Sequence, residues 1–499
     1  MQLDRAQTTI TWAATGLLFA AIVTVDAFAD PDMFHEMALI RQAVELGHLP
    51  LQDDFAYTPT LSPIVHHEWG TGAVLYCLTQ LTGPIGILTL KYVLAAGIAL
   101  GVMICARKRG ADAVVLGPLL PLAIFLGQIG ITTVRAQMFT LGGLACLLCF
   151  LEADRAGRHR CRRWWIGPWL VLYVLWLNLH GGFVVGLVVF GLYTAEQLFR
   201  RAPTRHLLIT LLVMVALVAV NPYGLRFYPY LWQALTMDRP LITEWQPVWQ
   251  AWPVILYMYG FSVLVALYAA AKLGPRRLPG LAIVLLTAYA ALRHQRHLSI
   301  YAVVWACYVP AYIQQTRLGE MLYTAWAKRR RTWIGVATLV SILGFASTVY
   351  HRPWHLHVPV APNDHPVLVY PAGAVDYLRG VQFRGNLLTP FTVGAFVTWN
   401  LYPDVRVSID GRYEVAYPPA LLAENQTLYK AEPGWRELLS KYPTDAVLTR
   451  RTRPLAQAIS QLEGWHRVYI DDAYAVYATD ESSWPAVDNT GRSLTGRFP

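Results

Sequence analysis

The sequence predicts a polytopic α-helical membrane protein with about eleven transmembrane helices and a C-terminal extracytoplasmic α/β domain. Three observations carry this expectation. Of 499 residues, 55% are hydrophobic and only 14% charged, with a mean hydropathy of +0.36, well to the apolar side of soluble composition. Apolar runs of up to about 20 residues, enough to cross a bilayer, recur along the first 350 positions. Beyond that point the pattern changes to short β-type runs separated by helix-like stretches.

The apolar runs lie near residues 10–29, 85–105, 113–130, 137–152, 164–178, 182–199, 206–221, 253–271, 279–293, 298–315 and 333–350. The first reads as an uncleaved span. Ala27 and Ala29 make an A-x-A site, but the n-region carries only Arg5 and the apolar run is long for a signal peptide. The formal charge of +10 falls mostly in short clusters between apolar runs: Arg107 to Arg109, Arg155 to Arg163, Arg200 to Arg205, Lys272 to Arg277 and Lys328 to Arg331. That is the pattern of cytoplasmic loops, and it argues against a nucleic-acid partner. With a cytoplasmic N-terminus and eleven spans, every cluster faces inward, provided that the run at 70–82, closed by Gly83-Pro84, returns on the outer side as a half-buried helix. The expected location is the bacterial inner membrane, with the C-terminal domain periplasmic.

Six cysteines lie in or beside apolar runs, so no disulfide framework is expected. Cys146 and Cys149 share a helical face without a partnering His or Cys pair and read as core. The expected division is a transmembrane domain over 1–350, whose outer loop 30–69 carries an amphipathic helix, an extracytoplasmic α/β domain over 351–481, and a loose tail over 482–499. The β-type runs are 'VLVYP', 'GNLLTP', 'VRVSID', 'DAVLT', 'WHRVYID' and 'YAVYA'; 'PALLAENQTLY' and 'GWRELLSKY' read as helices.

Chemistry concentrates at the outer ends of the spans. Directly after the first run comes 'DPDMFHE'. Asp30 is a good N-cap, Pro31 a good first helical residue, and Asp32 suits the positive end of the helix dipole. Met33, Met37, Ile40 and Val44 follow at helical spacing, so this helix is expected to lie flat on the membrane. Capping explains one Asp; it does not explain Asp32, His35 and Glu36 sharing a face. The same loop adds His66, His67 and Glu68 in 'HHEWG'. Further groups sit at other outer margins: Arg135, Asn178, His180, Asn221, Glu244, Arg293, His294, Arg296 and His297. Charged groups at such depths cost several kcal/mol unless they pair or line a wet cavity, so an outer functional cavity is expected. Carboxylates fit a general base or a divalent cation, and Arg and His fit a phosphate. A polyprenyl-phosphate-linked sugar donor would present that phosphate at headgroup depth, with one Asp deprotonating an acceptor hydroxyl.

The chain resembles the membrane glycosyltransferases of the GT-C fold, a class that includes protein O-mannosyltransferases, oligosaccharyltransferases and aminoarabinose transferases. The likeness rests on the acidic 'DPD' after the first span, the amphipathic helix in the first outer loop, the many spans and the outer C-terminal domain. It implies a glycosyltransferase in which Asp30 or Asp32 is the catalytic base or holds a metal. The mannosyltransferase branch has an Asp-Glu pair where this chain has Asp-Pro-Asp, which leaves open which carboxylate acts. No 'WWD' acceptor motif occurs in the tail, which argues against protein N-glycosylation. The set 'DPDMFHE', 'HHEW', 'WLNLHGG', 'NPYG' and 'IDGRYE' also resembles a group of bacterial multi-span proteins, and that likeness names no substrate.

In 'SIDGRYE', Asp410, Arg412 and Glu414 read either as a strand-end turn with an Arg–carboxylate pair or as a platform over the cavity. Asn425 begins a glycosylation sequon inside an expected helix. A metal is left open: Asp30, Asp32 and Glu68 suit Mg²⁺ or Mn²⁺, and His35, His66 and His67 suit Zn²⁺ less well supported by the pattern. The expected partners are membrane lipids, the lipid-linked donor and a glycan, lipid or protein acceptor. Three rival readings stand beside it: a polysaccharide polymerase or O-antigen ligase, which favours a long outer loop late in the spans; a transporter or flippase of lipid-linked glycans, which favours midplane charge and paired repeats; and a catalytically dead scaffold whose outer α/β domain binds a partner.

Overall fold

The computed structural model describes residues 4–25, 27–157, 163–240, 242–365 and 367–498, without the side chain of Glu414. Cys161 and part of the Arg155 to Arg163 cluster lie outside the described residues. Two compact units result: residues 1–27 with 85–355, and residues 28–84 with 356–499.

Along the chain, α1 (Arg5–Val25) is followed by α2 (Pro31–Leu46) and α3 (Trp69–Thr82). Then come α4 (Pro84–Lys108), α5 (Ala113–Gly127), α6 (Gln137–Ala156), α7 (Ile166–Leu179), α8 (Phe183–Phe199) and α9 (Arg205–Leu217). After α10 (Phe227–Thr236) follow α11 (Pro253–Leu273), α12 (Leu281–Arg293), α13 (Leu298–Ile313), α14 (Arg317–Lys328) and α15 (Arg330–Tyr350).

The first unit is all helix. Each of the eleven apolar runs forms a helix; among the described residues six, α1, α4, α5 with the turn after it, α6, α11 and α15, are long and apolar enough to cross a membrane, while α7, α8, α9 and α12 are shorter apolar helices. Helix α13 buries all sixteen residues and packs against α5, α6, α11 and α12. Apolar residues all round are what a central helix needs. Helices α1 and α15 run side by side: Asp4 Oδ2 accepts from Arg330 Nε at 2.7 Å, and a Cβ at Gly344 would meet the Leu17 carbonyl carbon at 2.8 Å. No larger residue allows that approach.

Two of the basic clusters are not simply exposed loop charge. Arg109 and Arg155 reach the buried Glu152 and the half-buried Glu196 at the helix ends. The Cys149 thiol points to the Gly101 carbonyl at 3.1 Å; Cys146, expected in the core, is exposed on its helix.

The second unit joins the first loop to the C-terminal domain. Five strands fall on expected runs: β1 (Gly385–Leu388), β2 (Val405–Val407), β3 (Ala446–Arg450), β4 (Trp465–Ile470) and β5 (Tyr474–Thr479); a sixth, β6 (Val487–Asp488), lies in the tail. The sheet order is β2-β1-β3-β5-β4-β6. Parallel pairs join β1 to β2 and to β3, and β5 runs antiparallel to β3 and β4. Between the strands lie α16 (Ala372–Gly380), α17 (Gly394–Leu401), α18 (Tyr413–Ala416), α19 (Pro419–Lys430), α20 (Trp435–Lys441) and α21 (Pro454–Ile459). Leu388, Leu428, Trp435, Val447, Leu455 and Tyr477 make the core between sheet and helices.

Three expectations are corrected in this unit. Helix α2 does not offer a bare apolar stripe to a membrane surface. Met33, Phe34, Met37 and Ile40 are buried, because α3 and α17 pack over them, while Val44 is 66% exposed. The tail after residue 481 is not loose: β6 pairs with β4, and Phe498 stacks on Phe34 with ring centroids 6.0 Å apart. 'VLVYP' is extended but forms no strand, since its backbone bonds are taken by Pro359, the Tyr474 hydroxyl and Arg450 rather than by a ladder. Asn425 lies in α19, buried, donating to the Thr389 carbonyl at 3.1 Å.

Candidate functional site

The first loop is drawn into the second unit by backbone pairing. Phe28 bridges His357, and Ala56 bridges Val407 at the free edge of β2. Between these two anchors α2 starts as its sequence dictates. Asp30 is extended (φ −78°, ψ 141°), its carboxylate accepts the Asp32 N–H at 3.1 Å, and Pro31 fills the first helical position. Gly47, at φ 76°, ends the helix. Asp30 is only 2% exposed, while Asp32, in the first turn, is partly exposed.

Glu36 meets α3 at its start. A Cβ on Gly72 would lie 2.5 Å from the Glu36 carbonyl oxygen, so a glycine is required where the two helices cross. That crossing sets Glu36 beside Glu68. Burial first, then the nearby charge of Glu68 and a hydrogen bond to it, push the Glu36 carboxyl well above its usual range. A carboxylate close to another disfavours its ionisation, and burial of Glu36 adds to that effect. Its Oε2 has no hydrogen-bond partner among the described residues. Glu68 also pairs with His67 at 3.2 Å.

His35 is buried on the same helix, and its Nδ1 has no partner among the described residues. Burial drives its pKa down to about 4, against the pull of Asp410; His66 falls well below its usual value through burial and the charge of Arg412. Both rings are neutral at physiological pH.

The turn after β2 closes this group. Arg412 Nε donates to both Asp410 oxygens at 2.9 and 3.0 Å, and Nη2 donates to the Tyr417 hydroxyl at 3.1 Å. Its Nη1 bonds Asp53, and the guanidinium lies over the Phe55 ring at 5.0 Å. Burial alone would raise the Asp410 carboxyl, yet the Arg412 guanidinium holds it below its ordinary value. Gly411 sits at the apex of this turn: a Cβ there would lie 3.3 Å from Asp32 Oδ1 and 3.6 Å from His35 Nδ1. Asp410 and Arg412 thus belong with the α2 residues, whereas the Glu414 side chain lies outside the described residues. Asp53 was missed in the sequence, because nothing in 'LQDDF' marks an Asp whose Arg partner is 359 positions away.

The remaining expected site residues lie in the first unit. Arg135 pairs with Glu244 at 2.9 Å, and Arg296 reaches the same carboxylate at 3.6 Å. Trp245 is flanked by the guanidinium groups of Arg239 and Arg296, at 4.2 and 4.5 Å from its ring, and by the rings of His294 and His297. The Trp245 carbonyl accepts from His294 Nδ1 at 2.6 Å. Arg239 and Trp245 were not singled out in the sequence; the lone Arg before a Pro gave no signal. Guanidinium groups gathered around one aromatic ring are of the kind that bind anions.

His180, Asn178 and Asn221 do structural work at helix ends. His180 Nδ1 accepts the Gly182 N–H at 3.2 Å and faces the Thr140 hydroxyl at 2.6 Å, so the ring proton sits on Nε2. Asn178 Nδ2 donates to the Val174 and Val220 carbonyls, and Asn221 caps the turn at Tyr223. Arg293 is exposed.

Among the described residues, no three His, Cys, Asp or Glu side chains form a group that could hold a metal ion. Asp53 and Asp410 are taken up by Arg412.

Neither a family model nor a curated protein matches the sequence. The fold is similar to the crystal structure of ArnT from Cupriavidus metallidurans in the apo state, at 14% identity and a TM-score of 0.54, covering 95% of this chain and 98% of that one. The protein therefore has an ArnT-like membrane fold, with apolar helices and a small C-terminal sheet domain, the architecture that the GT-C resemblance implies.

Proposed function

We propose that the protein is a GT-C type membrane glycosyltransferase. It transfers a sugar from a polyprenyl-phosphate-linked donor to a lipid, polysaccharide or protein acceptor on the extracytoplasmic face of the bacterial inner membrane. The ArnT-like fold supports this reading. The observation that carries it is the start of α2: Asp30 is buried and spent on the helix cap, whereas Asp32 is partly exposed at the positive end of the same helix.

Asp32 then acts as the base. It takes the proton of the acceptor hydroxyl as that oxygen attacks the anomeric carbon, and the bond to the donor phosphate breaks with its electron pair leaving on the phosphate oxygen. The neutral His35 beside it, its pKa lowered to about 4 by burial, does not compete for that proton. In the first unit, the arginine groups around Trp245 have the chemistry to bind an anionic phosphate.

Mass spectrometry of lipids, envelope polysaccharide and exported proteins, from cells with and without the gene, tests the proposal. A sugar-sized mass that disappears with the gene and with Asp32→Asn, at unchanged protein level, is expected. Retention of that mass in Asp32→Asn sinks Asp32 as base, and the absence of any sugar-sized difference in the deletion sinks the glycosyltransferase reading.

A further inference from the structure

A second site, unrelated to the chemistry above, lies in the apolar unit where α1 begins. Helices α1, α5 and α15 enclose a cleft of about 420 Å³. Its walls are apolar, with Ala14 and Leu18 from α1, Pro118 and Pro121 from α5, and Val336 and Val340 from α15. The small and ring-closed residues of α5 leave the space: where α5 does approach α1, a Cβ on Gly117 would meet Thr11 at 2.6 Å. Val336 is 57% exposed and Pro118 is exposed too, so the cleft opens sideways to the surroundings.

At one end the cleft is closed by Arg329. It belongs to the run Lys328 to Arg331, in which Arg330 pairs with Asp4. Among the described residues Lys328, Arg329 and Arg331 take no carboxylate, leaving an exposed positive patch at the mouth. Trp333, whose Nε1 donates to Thr11 at 2.9 Å, stacks edge-on against Trp326 at the same level. Tryptophan beside arginine marks the headgroup level of a bilayer. From Arg329 to Val340 the helix advances eleven residues, about 16 Å at 1.5 Å each, which matches the hydrocarbon depth of one leaflet, about 15 Å.

We propose that this cleft binds one anionic phospholipid, an acyl chain lying against Val336, Val340 and Leu18 and the phosphate on Arg329. The wall chemistry selects a hydrocarbon chain, and the unpaired cations select its charge. A zwitterionic lipid would fill the same space without that preference. The site is independent of the glycosyltransferase reading.

Native mass spectrometry of the full chain in mild detergent tests it, with phosphatidylglycerol and phosphatidylcholine of identical chains added in equal amounts. The wild type is expected to retain one phosphatidylglycerol in preference to phosphatidylcholine. Arg329→Gln lowers that preference about five-fold, the worth of one cation near an anionic surface, while Val336→Trp, which fills the open side of the cleft, reduces retention of both lipids. Equal retention of the two lipids by the wild type, or an undiminished preference in Arg329→Gln, overturns the proposal. A preference that survives Val336→Trp overturns the cleft as its location.

Discussion

Each unit holds a network of arginine and carboxylate, and the two differ in charge balance and in burial. In the first unit Arg155 Nη1 and Arg200 Nε reach Glu196 at 3.0 and 2.9 Å, and Arg155 and Arg109 share Glu152. The leftover atoms meet backbone: Glu196 Oε2 accepts the Gly280 N–H at 2.7 Å, and Arg109 Nη2 donates to the Pro279 carbonyl at 2.8 Å. Three cations face two anions and the ends of α4, α6, α8 and α12. In the second unit one guanidinium, Arg412, serves two carboxylates, Asp53 and Asp410, while Asp30, Asp32, Glu36 and Glu68 gather nearby, with the neutral rings of His35 and His66 beside them and His67 against Glu68. The first arrangement fastens helix ends. The second concentrates negative charge, which is costly to keep buried and is the pattern of a site whose groups have work to do.

The sharpest way to break this contrast is to compare one carboxylate from each network by activity and by stability. Asp32→Asn is expected to lower sugar transfer by about 10²- to 10⁴-fold, the usual range for a lost general base, with little change in melting temperature. Glu196→Gln should do the reverse, lowering the melting temperature in detergent while leaving turnover within a few-fold. Equal activity losses in the two variants would erase the distinction.

Removing the shared cation comes next. Arg412→Met leaves Asp53 and Asp410 buried without their partner, a change that costs about 3–5 kcal/mol. It should unfold the second unit at markedly lower denaturant, and a double variant Arg412→Met with Asp410→Asn should recover part of the loss.

Much of this was legible in the sequence, and the failures have physical causes. All eleven apolar runs became helices because hydropathy over a long window is a strong local signal; their lengths were less legible, since α9 stops at Leu217, before the apolar residues run out ahead of Asn221-Pro222. 'DPDMFHE' announced its cap because capping is local. The surface on which α2 would lie was misjudged, since period alone does not say whether lipid or protein covers an apolar stripe, and here α3 and α17 do. Arg412 with Asp53, and Glu36 with Glu68, depend on contacts between distant segments, and no spacing rule reaches across 359 residues.

Titration sharpens the comparison further. The raised Glu36 carboxyl makes its contribution to stability greatest below the unfolded value of 4.5 and progressively lost as pH rises toward its folded value. Glu36→Gln cannot ionise and escapes that loss, so it is expected to melt higher than the wild type at pH 8, by a margin that shrinks toward pH 5. His35 acts with the opposite sign. Its folded value of about 4 lies below the ordinary 6.5, so its stabilisation is complete above pH 6.5 and is lost as pH falls toward 4. In the wild type the two slopes oppose each other between pH 4.5 and 6.5. Glu36→Gln removes one of them and should reveal a fall of about 1.4 kcal/mol per pH unit for His35. A Glu36→Gln melting curve parallel to that of the wild type across pH 5 to 8 would show that the two carboxyls are not coupled.

The smallest change probes the apex of the turn. Gly411 adopts a backbone conformation open to any residue, so Ala costs little there; its methyl carbon, however, would stand 3.3 Å from Asp32 Oδ1 and 3.6 Å from His35 Nδ1. Ordinary contact begins near 3.4 Å, and Asp32 must give by a few tenths of an ångström. Gly411→Ala is therefore expected to leave the melting temperature of the protein unchanged and to lower kcat several-fold with KM little altered, because a displaced base loses geometry in the reacting complex rather than affinity for the donor. The same alanine at Gly434, a turn glycine of the second unit with nothing within 4 Å of its Cβ position but with φ at 92°, should behave oppositely, costing stability through backbone strain and leaving kcat alone. If both variants lower kcat alike, the effect at Gly411 is one of general loosening, and Asp32 is not what it touches.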